Sequence, residues 1–138
     1  MGNSLSIKKI NFEQLQQSIN ERDIIISTLS EKEQGCLITN TISVQSEANK
    51  INELLKTNKN KLIIVYGKNS HDDSVVTKSK QLIQLGFTNI NLYLGGLFEW
   101  LLLQDIYGFD EFPTTKKELD ILKYKPKSGF TLLLNDID

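Results

Sequence analysis

The chain is poor in the residues that carry most covalent and ionic chemistry. Its 138 residues include one cysteine, Cys36, one histidine, His71, and one arginine, Arg22. A lone cysteine excludes an internal disulfide and points to a reducing, cytoplasmic setting. One histidine without a cysteine cluster argues against a metal centre, and nothing in the chain implies a cofactor. The longest apolar runs lie at 62–66, 101–103 and 132–134, far short of the ~20 residues a membrane-spanning helix needs. The start of the chain lacks the hydrophobic segment of a signal peptide. Positive charge is not in excess: 16 Lys and Arg against 17 Asp and Glu leave a net charge of -1. A nucleic-acid binder relying on a broad basic surface is therefore not expected. What remains, 39% hydrophobic and 24% charged residues, is the composition of one ordinary globular domain with one core.

The first residues carry a modification signal. Gly2 followed by Ser6 and then Lys8 and Lys9 matches the N-myristoylation pattern, which needs a free Gly amine and a small hydroxyl residue. The alternative is an ordinary N-terminal segment. One myristoyl chain binds membranes only marginally, and Lys8 and Lys9 would each add about 1 kcal/mol on an anionic leaflet. We expect residues 1–10 to be a flexible, myristoylated segment giving reversible membrane attachment, residues 11–125 to be the folded domain, and 126–138 a tail.

Hydrophobic spacing predicts a helix over 12–22, with Phe12, Leu15 and Ile19 on one face, and a buried strand over 23–27. Residues 35–44 read as extended structure turning near Asn40. Ser46 reads as an N-cap before a helix over 47–56. A second apolar run at 62–66 is followed by a polar loop, Gly67 to Ser74, and by a helix over 75–85 closed by Gly86. A strand over 90–94, a Gly95-Gly96 turn and an apolar helix over 97–104 come next. A loop at 105–113 holds Tyr107, Phe109 and Phe112. Thr114 or Thr115 would cap a last helix over 116–123, and the tail would pack as an edge strand or an arm. Strands alternating with helices predict an α/β fold: an open, mainly parallel sheet with helices on both faces.

The 67–74 loop is the natural place for a site, at the carboxyl end of one strand and the amino end of a helix. Around it an ordered series of segments accumulates: Leu62 to Tyr66, the loop from Gly67, a helix ending Leu85-Gly86-Phe87, Asn89-Ile90 and a strand, then Gly95-Gly96 with Trp100 four residues on. Over about residues 12–113 this series resembles the rhodanese-like domain, the fold of sulfurtransferases and of related cysteine-dependent phosphatases. The stretch from Leu101 through Gly108 to Thr115 is similar to a subgroup found in protists and giant viruses. Cys36 falls where the family usually has histidine, on the strand side of the fold.

The resemblance implies a cysteine as the first loop residue, carrying sulfur as a persulfide or attacking phosphorus, and in the phosphatases an arginine for the phosphoryl oxygens. Here that position is Gly67. Lys68, Asn69, Ser70, His71, Asp72 and Asp73 complete a degenerate loop with no nucleophile and no arginine. Asp72 and Asp73 are expected to serve as helix caps rather than to admit an anion. Cys36 reads as a small core residue, and Trp100 as core. The expectation is a catalytically inactive, membrane-associated module binding an unidentified protein partner, with Tyr107, Phe109 and Phe112 as candidate contacts. Two alternatives stand beside it: a structural subunit of a large assembly such as a virion or ciliary complex, and an enzyme of altered chemistry using His71, Asp72 or Asp73.

Overall fold

Buried apolar runs become strands because their backbone polar groups then find partners in a ladder. The computed structural model describes residues 7–127, with strands β1 (Ile7–Ile10), β2 (Ile24–Ser27), β3 (Ile63–Tyr66) and β4 (Ile90–Tyr93). They pair in the order β1-β4-β3-β2, every pair parallel. All residues of β2 and β3 are buried, while β1, Ile-Lys-Lys-Ile, exposes three of its four. Burying unpaired lysines is costly, so this half-polar strand takes the edge.

Four helices cover the sheet: α1 (Phe12–Asn20), α2 (Val44–Thr57), α3 (Ser74–Leu85) and α4 (Gly96–Tyr107). Alternation along the strands assigns the two faces. Ile25, Ile64, Tyr66 and Tyr93 join Leu15 and Ile19 of α1 and Leu97, Trp100 and Leu101 of α4 in one core. Ile24, Ile26, Ile63, Val65, Ile90 and Leu92 join Ile51 and Leu54 of α2 and Val75 and Leu82 of α3 in the other. The α/β sheet covered on both faces, as expected from the sequence, is the observed fold.

Local chemistry explains where helices begin and end. Asn11 accepts from the Gln14 N–H at 3.0 Å, and the Gln14 side chain accepts from the Asn11 N–H at 3.1 Å, a reciprocal cap that starts α1. Gly86, at φ +117°, ends α3, with its N–H on the Ile83 carbonyl and the Phe87 N–H on that of Leu82. That pair of bonds requires a left-handed residue, which glycine adopts without a Cβ penalty.

Several boundaries differ from the sequence reading. Residues 7–10 are a strand rather than part of a flexible segment, because they complete the sheet beside β4; Gly2 lies outside the described residues. Helix α2 starts at Val44, with Ser43 rather than Ser46 as its cap residue. The Ile42 N–H bonds the Ile25 carbonyl, which ties the preceding residues to the sheet and turns the chain into the helix one position later. Residues 35–44 form no strand, only single bridges of Thr41 to Ile25 and Ile38 to Thr114. The helix expected over 116–123 is absent. The Thr115 N–H bonds the Leu37 carbonyl and the Thr114 hydroxyl donates to the Lys116 carbonyl at 2.6 Å. With its capping groups spent, the segment runs as an irregular strap ending in one 3-10 turn, Ile121–Tyr124. Of the expected tail, residues 128–138 lie outside the described part.

Candidate functional site

The 67–74 loop leaves the end of β3 and is fastened on three sides. Its first two carbonyls cap α4: the Leu97 N–H donates to Gly67 at 2.9 Å and the Phe98 N–H to Lys68 at 2.8 Å. Such amino-terminal N–H groups have no partner within their own helix, so the loop and α4 hold each other. This contact needs Gly96, whose φ is +70° and where a Cβ would sit 2.7 Å from the Asn69 nitrogen and the Gly67 oxygen. Asn69 makes the second fastening. It is buried, accepts from the His71 N–H at 2.9 Å, and donates to the Tyr124 carbonyl of the strap at 2.9 Å.

Asp72 makes the third, from inside the loop. Its carboxylate accepts from the N–H groups of Lys68 and Ser74, each at 3.0 Å, and from the Ser74 hydroxyl at 2.5 Å. The Thr28 hydroxyl, at the end of β2, lies 2.7 Å from that of Ser74. Partial burial by itself would raise the Asp72 pKa. The Ser74 hydroxyl, the two N–H groups and the Lys68 charge outweigh it and hold the carboxyl below the usual aspartate range.

This carboxylate also occupies the space of a side chain at the first loop position. A Cβ on Gly67 would overlap the Asp72 carboxylate, 2.9 Å from its Cγ, and lie 2.8 Å from Val75 Cγ2. Gly67 is not in the left-handed region, so only space forbids a larger residue. The loop is thus partly closed on itself: although the N–H groups of Asn69, Ser70 and Asp73 have no partner among the described residues, those of Lys68, His71, Asp72 and Ser74 are bonded within it. A loop of this type would otherwise turn those groups toward an anion.

The remaining expected site residues scatter. Ser70, His71 and Asp73 are exposed, and of the three only His71 lines the cleft beside the loop. Asp73 precedes α3 but makes no side-chain cap, so of the two aspartates only Asp72 bonds the helix start. Cys36 is buried in the core, its thiol donating to the Lys116 carbonyl at 3.3 Å, and burial pushes its pKa up. Arg22 stands before β2, at the opposite end of the sheet from the loop. Among the described residues no three His, Cys, Asp or Glu side chains are placed to hold a metal ion. Lys8 and Lys9 occupy successive positions of β1 and so project from opposite faces.

The aromatic trio also divides. Phe112 is 3% exposed and packs against Trp100 and Phe12, ring centroids 5.0 and 5.5 Å apart; it is core, not a contact surface. Phe109 is half-buried under Lys117. Tyr107, 65% exposed, is the last residue of α4. Sequence reasoning missed the strap's part in the site. Leu122, Lys123, Lys125 and Lys127 line a cleft of about 790 Å³ with the loop and the end of β2. No local signal marks it, because the contact joins residues some 55 positions apart.

Residues 11–103 match the model of the rhodanese-like domain. No curated protein matches. Among solved structures the chain is similar to a protein from Bacillus halodurans, at 20% identity over 73% of this chain and 74% of that one, TM-score 0.57. A protein from Anabaena is 16% identical over 93% of this chain and 91% of that one, TM-score 0.56. A thiosulfate sulfurtransferase from Pseudomonas aeruginosa is 18% identical over 70% of this chain and 19% of that one, TM-score 0.55. At these identities the likeness is one of fold.

Proposed function

The chain belongs to the rhodanese-like domain family, and from that premise we propose that it is a non-catalytic member serving as a protein-binding module, with Gly2 acylated and the module held at a membrane. The observation that carries the loss of catalysis is the pairing of Gly67 with Asp72. Glycine supplies no thiolate for a persulfide. The neighbouring carboxylate fills the place of the missing side chain and bonds loop N–H groups that would otherwise stabilise a transferred anion. Cys36, the only cysteine, does not substitute: it is buried, and its raised pKa disfavours the thiolate.

What such a domain retains is a rigid sheet presenting a fastened loop and a cleft, which is a scaffold for recognition rather than turnover. The membrane part rests on the Gly2/Ser6 start. Among the described residues no helix is long and apolar enough to cross a membrane, so attachment through the acyl chain is the form proposed.

Two measurements test the reading. A thiosulfate-to-cyanide sulfurtransferase assay should give no turnover above a Gly67→Ala control, and turnover well above that control would refute the non-catalytic assignment. Intact-mass spectrometry of protein from its native source should show Met1 removed and Gly2 acylated, and an unmodified Gly2 amine would end the membrane argument.

A further inference from the structure

We propose that the cleft beside the 67–74 loop docks an acidic peptide segment of a partner protein, with an apolar side chain set among its carboxylates. The inference rests on the reading of the chain as a binding module. The cleft, about 790 Å³, gathers Leu29 and Lys68 with Leu122, Lys123, Lys125 and Lys127 of the strap. Four lysines in one concavity, on a chain of net charge -1, is a local concentration of positive charge rather than a property of the whole surface.

The carboxylates of this cleft are already engaged. Glu33 is paired with Lys68, and Asp72 is held by the loop donors. Lys123 is paired with Glu118 at 2.5 Å. Lys125 and Lys127 are exposed and make no ion pair among the described residues. Both line this cleft, with Lys68 and Lys123.

The chemistry selects among occupants. Lysines are point charges on flexible stems, and the cleft has no arginine fork to orient a single phosphate. Two of the loop N–H groups that would grip one small anion, those of Lys68 and Ser74, are spent on Asp72, whose own negative charge opposes such a ligand. Several dispersed carboxylates suit this rim better than one compact anion. Leu122, 62% exposed, stands among the lysines as an apolar contact, and the buried Leu29 is also part of the lining. A flat lipid surface fits less well, because these groups converge on a concavity, while the other protruding strap leucine, Leu119, lines a different cleft.

The test uses the full chain and a fluorescent peptide with leucines set between glutamates, read by anisotropy. The peptide should bind, and raising salt from about 50 to about 200 mM should weaken binding several-fold. Lys125→Glu with Lys127→Glu should weaken it about tenfold or more. Leu122→Ser should weaken it about threefold, and Leu119→Ser should leave it unchanged. Circular dichroism of each variant should match the parent, as all four positions are exposed. The proposal is overturned if the peptide does not bind, if the charge-reversed variant binds equally, or if only vesicles containing phosphatidylserine bind. It is also overturned if binding appears only after residues 128–138 are removed, which would make that segment, with Asp136 and Asp138, the occupant. A sulfurtransferase assay on the same preparation separates these outcomes: turnover refutes the module reading itself, whereas loss of peptide binding without turnover refutes only the partner chemistry.

Discussion

The packing of Asp72 against Gly67 makes a quantitative prediction about a pair of substitutions. Gly67→Ala places a Cβ 2.8 Å from Val75 Cγ2 and 2.9 Å from Asp72 Cγ, both closer than ordinary carbon contacts. Overpacking of this kind costs about 1–3 kcal/mol, and both the carboxylate and the Val75 methyl must give way. In yielding, the carboxylate stretches bonds to the Lys68 and Ser74 N–H groups. Asp72→Ala removes those bonds outright, at about 1.5–3 kcal/mol for charged acceptors, toward the lower figure because water reaches the site. With Asp72 already gone, Gly67→Ala meets only the Val75 methyl. The two losses should therefore sum to more than the double variant shows, by about 1–2 kcal/mol of coupling. Urea unfolding followed by far-ultraviolet circular dichroism on the parent, both single variants and the double variant measures the cycle. Additivity within about 0.5 kcal/mol would mean that Asp72 does not occupy the space of a first-position side chain, and the account of the closed loop would fail.

Two further outcomes follow from the same geometry. Phe112→Ala should destabilise the domain by about 3–5 kcal/mol, since Phe112 is buried between Trp100 and Phe12, whereas Tyr107→Ala should change stability by no more than about 0.5 kcal/mol; thermal melts of the two variants decide between core and surface roles. Because the folded-state pKa of Asp72 is depressed, its contribution is present above the unfolded-state value and is lost as pH falls through the folded one. The urea midpoint should thus decline as pH is lowered through and below the ordinary aspartate range, and Asp72→Asn should show a shallower acid limb than the parent.

From α1 to α4 the order of elements was legible in the chain because local signals agree with the global fold, whereas β1, with two lysines among its four residues, carries no apolar strand pattern. The apolar runs that form β2, β3 and β4, the apolar face of α1 and the glycine after Leu85 each agree with what the fold requires. The absence of a nucleophile at Gly67 was equally legible, since residue type alone decides it. The expected last helix failed because Thr114 and Thr115 are drawn into contact with residues 36–38, a competition no window of sequence displays.

What the sequence by itself determined is therefore the layered α/β fold, the position of the loop and the glycine at its start. Only the tertiary structure decided what occupies the loop instead. Asp72 is five residues from Gly67, and nothing in that spacing says whether its carboxylate faces solvent as a cap or turns inward; the hydroxyls of Thr28 and Ser74 and the N–H of Lys68 turn it inward. In the same way, the strap lysines line the cleft because Tyr124 is buried and its carbonyl is tied to Asn69. The physical reason is common to both: residue type sets which interactions a group is able to make, while long-range packing sets which partner it meets.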